Sequence, residues 1–288
     1  MDDGAYARGM SRVTARRKVE HVDVSTGRRA TRPDSLAGEE PLEVRAGGTS
    51  LTVTMRTPGH DVELVHGFLL SEGIIASRED VSTARYCAGS VTNDAGVPEN
   101  TYNVMDVALS PVAQTLASQA VRSFATSSSC GVCGAASIDD VEHTSNYPIA
   151  ADTPRLSIAG VAALPDRLRT QQRAFDRTGG LHAAGLLDTR TDALEVREDV
   201  GRHNAADKVI GAAVMRGDLP ASSHVLVLSG RVSFELVQKA AMAGIGLIVA
   251  VSAPSSLAVD LADRLGITVA AFVRGESFNI YTHPARIV

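Results

Sequence analysis

Val225-Leu226-Val227-Leu228, Leu247-Ile248-Val249-Ala250-Val251 and Ile267-Thr268-Val269-Ala270-Ala271-Phe272 decide the fold of this chain. Each run is apolar on both faces, and strands of that kind belong in a parallel sheet covered on both sides. Residues 232–243 and 256–265 read as helices between them, so strands and helices alternate. Working outward, residues 204–216 form one more helix. Before it, residues 181–187 and 194–197 flank the turn Asp188-Thr189-Arg190-Thr191-Asp192 and read as a hairpin.

Further towards the N-terminus the pattern is mostly strand-like. Glu43-Val44-Arg45 and Leu51-Thr52-Val53-Thr54-Met55 alternate around Gly47-Gly48, a second hairpin. Residues 61–70 read as a helix with Asp61 as its cap and Gly73 after its end. Residues 102–109 read as a strand and 110–125 as a helix. Residues 156–176 form a second helical region, with Pro165 as a break or first-turn residue. The fold class is therefore α/β (α+β overall), with a three-layer core in the C-terminal part and a smaller β-rich N-terminal domain. The expected divisions are a basic, disordered arm over 1–18, the β-rich domain over 19–125, a flexible cysteine loop over 126–137 and the α/β domain over 138–288.

Composition narrows the function classes. A chain of 288 residues that is 44% hydrophobic and 21% charged is ordinary for a globular protein with a sizeable core. A net charge of −5 implies no general affinity for nucleic acid. No apolar run is long enough to span a membrane, and the N-terminus has no apolar signal region. Three cysteines are too few for a disulfide scaffold and fit a reducing cytoplasm. Arg8, Arg12, Arg16, Arg17, Lys18, Arg28, Arg29 and Arg32 make the first segment basic. It reads as a solvated tail or as an arm for an acidic partner.

Two of the three cysteines stand in Ser127-Ser128-Ser129-Cys130-Gly131-Val132-Cys133-Gly134. One C-x-x-C cannot close a four-ligand zinc site without two further ligands. It suits sulfur carriage or disulfide exchange, because a thiolate attacks and a second thiol resolves the product. The third, Cys87, reads as a small buried hydrophobe.

The loops after the three parallel strands share one character: Ser229-Gly230-Arg231, then Ser252-Ala253-Pro254-Ser255-Ser256, then Arg274-Gly275-Glu276-Ser277. Ligands of α/β sheets collect at the carboxyl ends of strands. Hydroxyls, close backbone approach at glycine, and arginines that bind bidentately suit phosphates. Ahead of these lies the polar segment 198–208. Arg202 and His203 read either as an anion clamp and a proton carrier or as rim residues, with Asp207 and Lys208 as exposed helix charges. Asp199 caps or orients the turn. His182 reads as structural, although the preceding Gly179-Gly180 is what a close ligand needs.

Six stretches in order give the chain a resemblance. They are 40–44, 56–59 with 69–75, Cys130-Gly131-Val132-Cys133-Gly134, 179–184, 199–208 and Phe272-Val273-Arg274-Gly275-Glu276. From about residue 20 onward the chain resembles the FdhD family of formate dehydrogenase accessory sulfurtransferases.

The resemblance implies a sulfur carrier. A cysteine desulfurase would hand persulfide sulfur to Cys130, with Cys133 assisting or resolving. The sulfur would pass to the molybdenum (or tungsten) bis(molybdopterin guanine dinucleotide) cofactor, held as a bound substrate, before insertion into formate dehydrogenase. The resemblance assigns the segment from Phe272 to Ser277 to cofactor binding, in line with the phosphate reading of the strand-end loops. It also implies a cytidine-deaminase-like core and a homodimer. A deaminase needs His-x-Glu and Pro-Cys-x-x-Cys. Here His203-Asn204-Ala205 and Ser229-Gly230-Arg231-Val232-Ser233 stand in their places, so no tightly bound metal is expected. The alternatives are a non-catalytic cofactor-binding chaperone and a dithiol oxidoreductase.

Overall fold

The computed structural model describes residues 13–87, 90–92, 98–100, 103–127, 145–149 and 154–288. Its centre is a six-stranded sheet of order β10-β9-β11-β12-β13-β14. The strands β11 (His224–Leu228), β12 (Leu247–Ala250) and β13 (Thr268–Arg274) are parallel. The hairpin of β9 (His182–Asp188) and β10 (Ala193–Asp199) flanks them antiparallel on one side. On the other side β14 (Ser277–Thr282) returns antiparallel from the Arg274–Ser277 turn. The sequence reading stopped at that turn and did not foresee β14, whose exposed alternation is weak.

Strand pleating sorts the side chains into two cores. Val225, Val227, Leu247, Val249 and Ala270 pack against Val161, Leu164 and Leu168 of α3 (Ile158–Arg169). Leu226, Leu228, Ile248, Ala250, Val269 and Ala271 face the opposite layer. That layer is α5 (Arg202–Arg216), α6 (Phe234–Met242) and α7 (Ser256–Leu265). Helix, sheet, helix is the three-layer arrangement expected from the apolar strands.

The second core continues into the N-terminal part. Leu42, Val44, Met105 and Val107 belong to the same cluster as Val209, Ile210 and Leu236. They come from a four-stranded sheet of order β4-β3-β8-β5. Its members are β3 (Glu40–Ala46), β4 (Thr49–Arg56), β5 (Val81–Tyr86) and β8 (Val104–Leu109). Gly47 and Gly48 have φ of 56° and 79°, as a two-residue hairpin turn requires. The short pair β6 (Ser90–Thr92) and β7 (Pro98–Asn100) follows β5, and α2 (Pro111–Ser127) packs beside β4 and β8. Between the two sheets, α1 (Asp61–Ser71) lies across α5. The crossing is so close that a Cβ on Gly67 would meet the Asp207 backbone, and one on Gly211 the Glu63 carbonyl.

Three sequence expectations need correction. Residues 14–18, assigned to a disordered arm, begin β1 (Thr14–Val22), which pairs with β2 (Arg29–Ala37) in an exposed ribbon. Charged residues form it because most of both faces stays in water, with only β2 packing against residues 173–178, so no apolar stripe marks it. Asp61 does not cap α1: His60 holds the N-cap without a side-chain bond. Asp61 instead accepts from Arg56 Nη2 at 2.8 Å and Tyr86 Oη at 2.6 Å. Pro165 does not break its helix, because Leu164 and Leu168 on either side are buried against the sheet and hold α3 together. The helical region 156–176 does divide, but later, with α4 (Arg173–Thr178) as its second piece.

Candidate functional site

The parallel strands β11, β12 and β13 end along one edge. Val251 N donates to Leu228 O, and Phe272 N donates to Ser252 O at 3.2 Å, so the three strand ends are stitched together. Ser229 is fixed from two sides: its N–H donates to Ala183 O, and its Oγ accepts from Ala183 N at 2.9 Å. Arg274 Nε donates to Val251 O at 3.1 Å, which holds its guanidinium over the strand ends. Gly230 is a close-approach position, since a Cβ there would meet His182 Nδ1 at 3.3 Å and Arg202 Cδ at 3.9 Å.

A cavity of about 600 Å3 opens on this edge. Ser229, Val251, Val273, Arg274 and Gly275 line its sheet side. The opposite wall comes from α3, α4 and the 179–182 turn, including Arg169, Phe175 and His182. Arg169 lies over the Phe175 ring at 4.9 Å.

The electrostatics of the edge are positive. Arg202, Arg231 and Arg274 have no carboxylate partner among the described residues. The Arg202 Nε is buried and has no hydrogen-bond acceptor there. A buried guanidinium N–H without an acceptor is costly unless a ligand supplies one. Burial pushes the His182 imidazole below its ordinary pKa, and the nearby charges of Arg202, His203 and Arg231 push it the same way. A neutral His182 adds a polar atom to the edge without adding to the cationic repulsion.

Asp199 sets the start of α5. It is fully buried and bonds Lys208 Nζ at 2.7 Å. It also accepts from Thr57 N, Gly201 N and Asn204 Nδ2. These bonds close the Val200-Gly201 turn and place Arg202 beside Gly230. The expectation that Asp207 and Lys208 are exposed fails. Both are buried, Asp207 against Lys239 and Lys208 against Asp199, because α1 covers this face of α5. No three His, Cys, Asp or Glu side chains converge as a metal site among the described residues. No helix among them is long and apolar enough to cross a membrane.

The model of the FdhD/NarQ family matches residues 37–288. The chain belongs to that family. It is 53% identical over 278 residues to the sulfur carrier protein FdhD of Mycobacterium tuberculosis, covering 96% of this chain and 100% of that one. It is 52% identical over 280 residues to the sulfur carrier protein FdhD of Streptomyces coelicolor, covering 96% and 97%. Identity to the sulfur carrier protein FdhD of Sulfurisphaera tokodaii is 41% over 275 residues, covering 94% and 99%. The fold matches a crystal structure from Desulfotalea psychrophila, described as a formate dehydrogenase accessory protein. The TM-score is 0.73 at 23% identity, covering 96% of this chain and 100% of that one.

Within this FdhD/NarQ chain, the edge gathers most of the residues singled out from sequence. Ser229, Val273, Arg274 and Gly275 line the cavity, whereas Gly230, Arg231, Ser252 and Arg202 lie near the same strand ends and do not line it. His203 does not join the cavity. Its Nε2 lies 2.8 Å from Glu235 Oε2 and 3.0 Å from Ser233 Oγ, on the far side of the α5 start. Phe272 sits in a bulge of β13 at φ 55° with its side chain 41% exposed. Glu276 and Ser277 are exposed in the hairpin turn and do not line the cavity. Cys130 and Cys133 lie outside the described residues. His182, first read as structural, proves to line the cavity. Phe175 and Arg169 carried no sequence signal, since only the packing of α3 and α4 against the sheet turns them inward. The Gly179-Gly180 pair was a partial signal: Gly179 is the left-handed cap of α4 that opens this wall.

Proposed function

We propose that this chain is a sulfur carrier for formate dehydrogenase, with Cys130 as the carrier atom's site and the strand-end edge as the seat of the molybdenum bis(molybdopterin guanine dinucleotide) substrate. The observation that carries the reading is the edge itself. Arg274, Ser229 and His182 line a cavity of about 600 Å3, and Gly230, Arg202 and Arg231 stand near His182, the two arginines, like Arg274, without a carboxylate partner among the described residues. That is the chemistry of a diphosphate seat. Membership of a family whose curated relatives are named sulfur carriers supports the sulfur half of the reading. So does the single C-x-x-C.

The Cys130 thiolate attacks the outer sulfur of a persulfide on a cysteine desulfurase. That S–S bond breaks, the desulfurase thiolate leaves, and Cys130 bears the persulfide. The Cys133 thiolate then attacks Cys130 Sγ and releases the terminal sulfur at the sulfide level to the metal centre. The two electrons come from the Cys130/Cys133 pair, which closes as a disulfide, and an external thiol reduces it. Arg202, Arg231 and Arg274 hold phosphate oxygens, and the exposed Phe272 ring offers a stacking face.

Intact mass spectrometry after incubation with desulfurase and cysteine tests the sulfur half. The wild type gains one sulfur, ~32 Da, and Cys130→Ala does not. No gain on the wild type with active desulfurase overturns it and leaves a cofactor-binding chaperone. GDP titration tests the seat: Arg274→Ala weakens binding about tenfold, the loss of one charged phosphate contact. Absence of GDP binding removes the seat.

A further inference from the structure

The strand-end cavity has one wall that phosphate chemistry does not explain. Opposite Arg274 and Ser229, Pro165, Leu168, Phe175 and Leu181 make it largely apolar, and the Gln172 side chain stands among them. Gln172 is only 4% exposed, yet its amide makes no hydrogen bond among the described residues. The sealed polar atoms without a partner sit elsewhere among those residues, on Asp61, Asp106, Arg202 and Arg286. The small exposure that Gln172 keeps is therefore exposure of its amide, on the cavity it lines.

The local structure shows why the amide is free. Gln172 is the N-cap of α4, the position whose side chain commonly accepts from the first turn of a helix. Here Glu198 of β10 does so instead, accepting from Ala174 N at 2.8 Å and Phe175 N at 2.7 Å. The helix end is closed by a neighbouring strand, and the Gln172 amide has no task within the chain. A primary amide presents an acceptor beside a donor, and leaving both unmade in a buried wall costs free energy. A phosphate only accepts and an ammonium only donates, so either leaves half of the amide unpaired. A flat ring with a carbonyl beside a ring N–H pairs with both halves at once.

We propose, resting on the diphosphate seat argued above, that Gln172 holds this lactam edge of a heterocycle whose diphosphate lies towards Arg274. Guanine and pterin share the edge, and both belong to the substrate proposed for the seat. The Phe175 ring, with the Arg169 guanidinium 4.9 Å from its centroid, gives the heterocycle an apolar neighbour on the same wall.

Calorimetric titration of the full chain with GDP, pterin and inorganic pyrophosphate tests the assignment. Gln172→Met weakens a ring ligand about tenfold and leaves pyrophosphate unchanged. A loss on GDP identifies guanine as the ring held, and a loss on pterin with GDP unchanged identifies the pterin. Gln172→Asn keeps the amide but draws it back by one methylene, and it weakens the same ligand. Both variants melt within a few degrees of the wild type, because the amide has no protein partner to lose. The role of Gln172 is overturned, with the seat intact, if pyrophosphate binds and neither variant weakens GDP or pterin. It is overturned as well if both variants fail to fold or melt far below the wild type, since the amide would then have its partner in the protein. If neither GDP nor pyrophosphate binds the wild type, the seat itself is lost and Gln172 has no ligand to hold.

Discussion

Asp199 is fully buried, and its carboxylate is satisfied by one ammonium and three N–H donors. Such a group is stable only as a set, because removing one partner strands a charge. Lys208→Met leaves Asp199 without its cation and should cost about 3–5 kcal/mol, read as a lower urea midpoint. Glu63 makes a pH-dependent contribution. Burial pushes its carboxyl up, but hydrogen bonds from Arg197 and His60 outweigh that and hold it at about 2, against an ordinary 4.5. The folded value is the lower one, so the stabilisation is complete above pH 4.5 and is lost as pH falls through about 2. Glu63→Gln should flatten the acid limb of stability against pH over that window while lowering stability near neutrality. An unchanged acid limb would show that Arg197 and His60 do not favour the ionised form. At this scale the sequence was partly legible. Asp199 could be read as the residue that orients its turn. Burial of Asp207 and Lys208 could not, because their covering helix lies over 130 positions earlier in the chain.

The elements that were legible are those whose pattern is decided locally. The runs at 225–228 and 247–250 are apolar on both faces and could only be central strands. Gly47-Gly48 could only be a tight turn. Elements held by distant partners were less legible. β14 has little apolar alternation and exists because β13 offers it an edge. α3 runs through Pro165 because its buried leucines dock on the sheet. The closest contact between elements, α1 on α5, depends on two glycines with no special backbone angles, so neither turn nor cap chemistry marks them. Gly67→Ala or Gly211→Ala puts a methyl into facing backbone and should cost about 3 kcal/mol or more. Thermal unfolding of the two variants checks this, and near-native melting of either would show that the helices can separate at no cost.

Over the whole molecule, the candidate seat was half legible. Its sheet side follows from the rule that strand ends bind ligands. Its other wall is assembled from α3 and α4, whose sequence gives no sign of which residues turn inward. The β1–β2 ribbon contributes no residue to either core. It carries Arg16, Arg17, Lys18, Arg28, Arg29 and Arg32 on exposed positions. Among the described residues, brief trypsin digestion should therefore cut first at Arg28 in its turn or at Arg29, where β2 begins, and leave the thermal transition of the remainder within a few degrees of the intact chain. First cleavage inside residues 154–288 would contradict this account.

The crossing of α1 over α5 also has a consequence for synthesis. The apolar face of α1 is complete once residue 71 has left the ribosome, but its partner ends at residue 216. At about 5–20 residues per second the nascent chain waits on the order of ten seconds before that face can be covered. Over that interval the N-terminal sheet is an unfinished structure with an open hydrophobic surface. The newborn chain is most exposed to aggregation, and most in need of a holding chaperone, between the appearance of α1 and the arrival of α5.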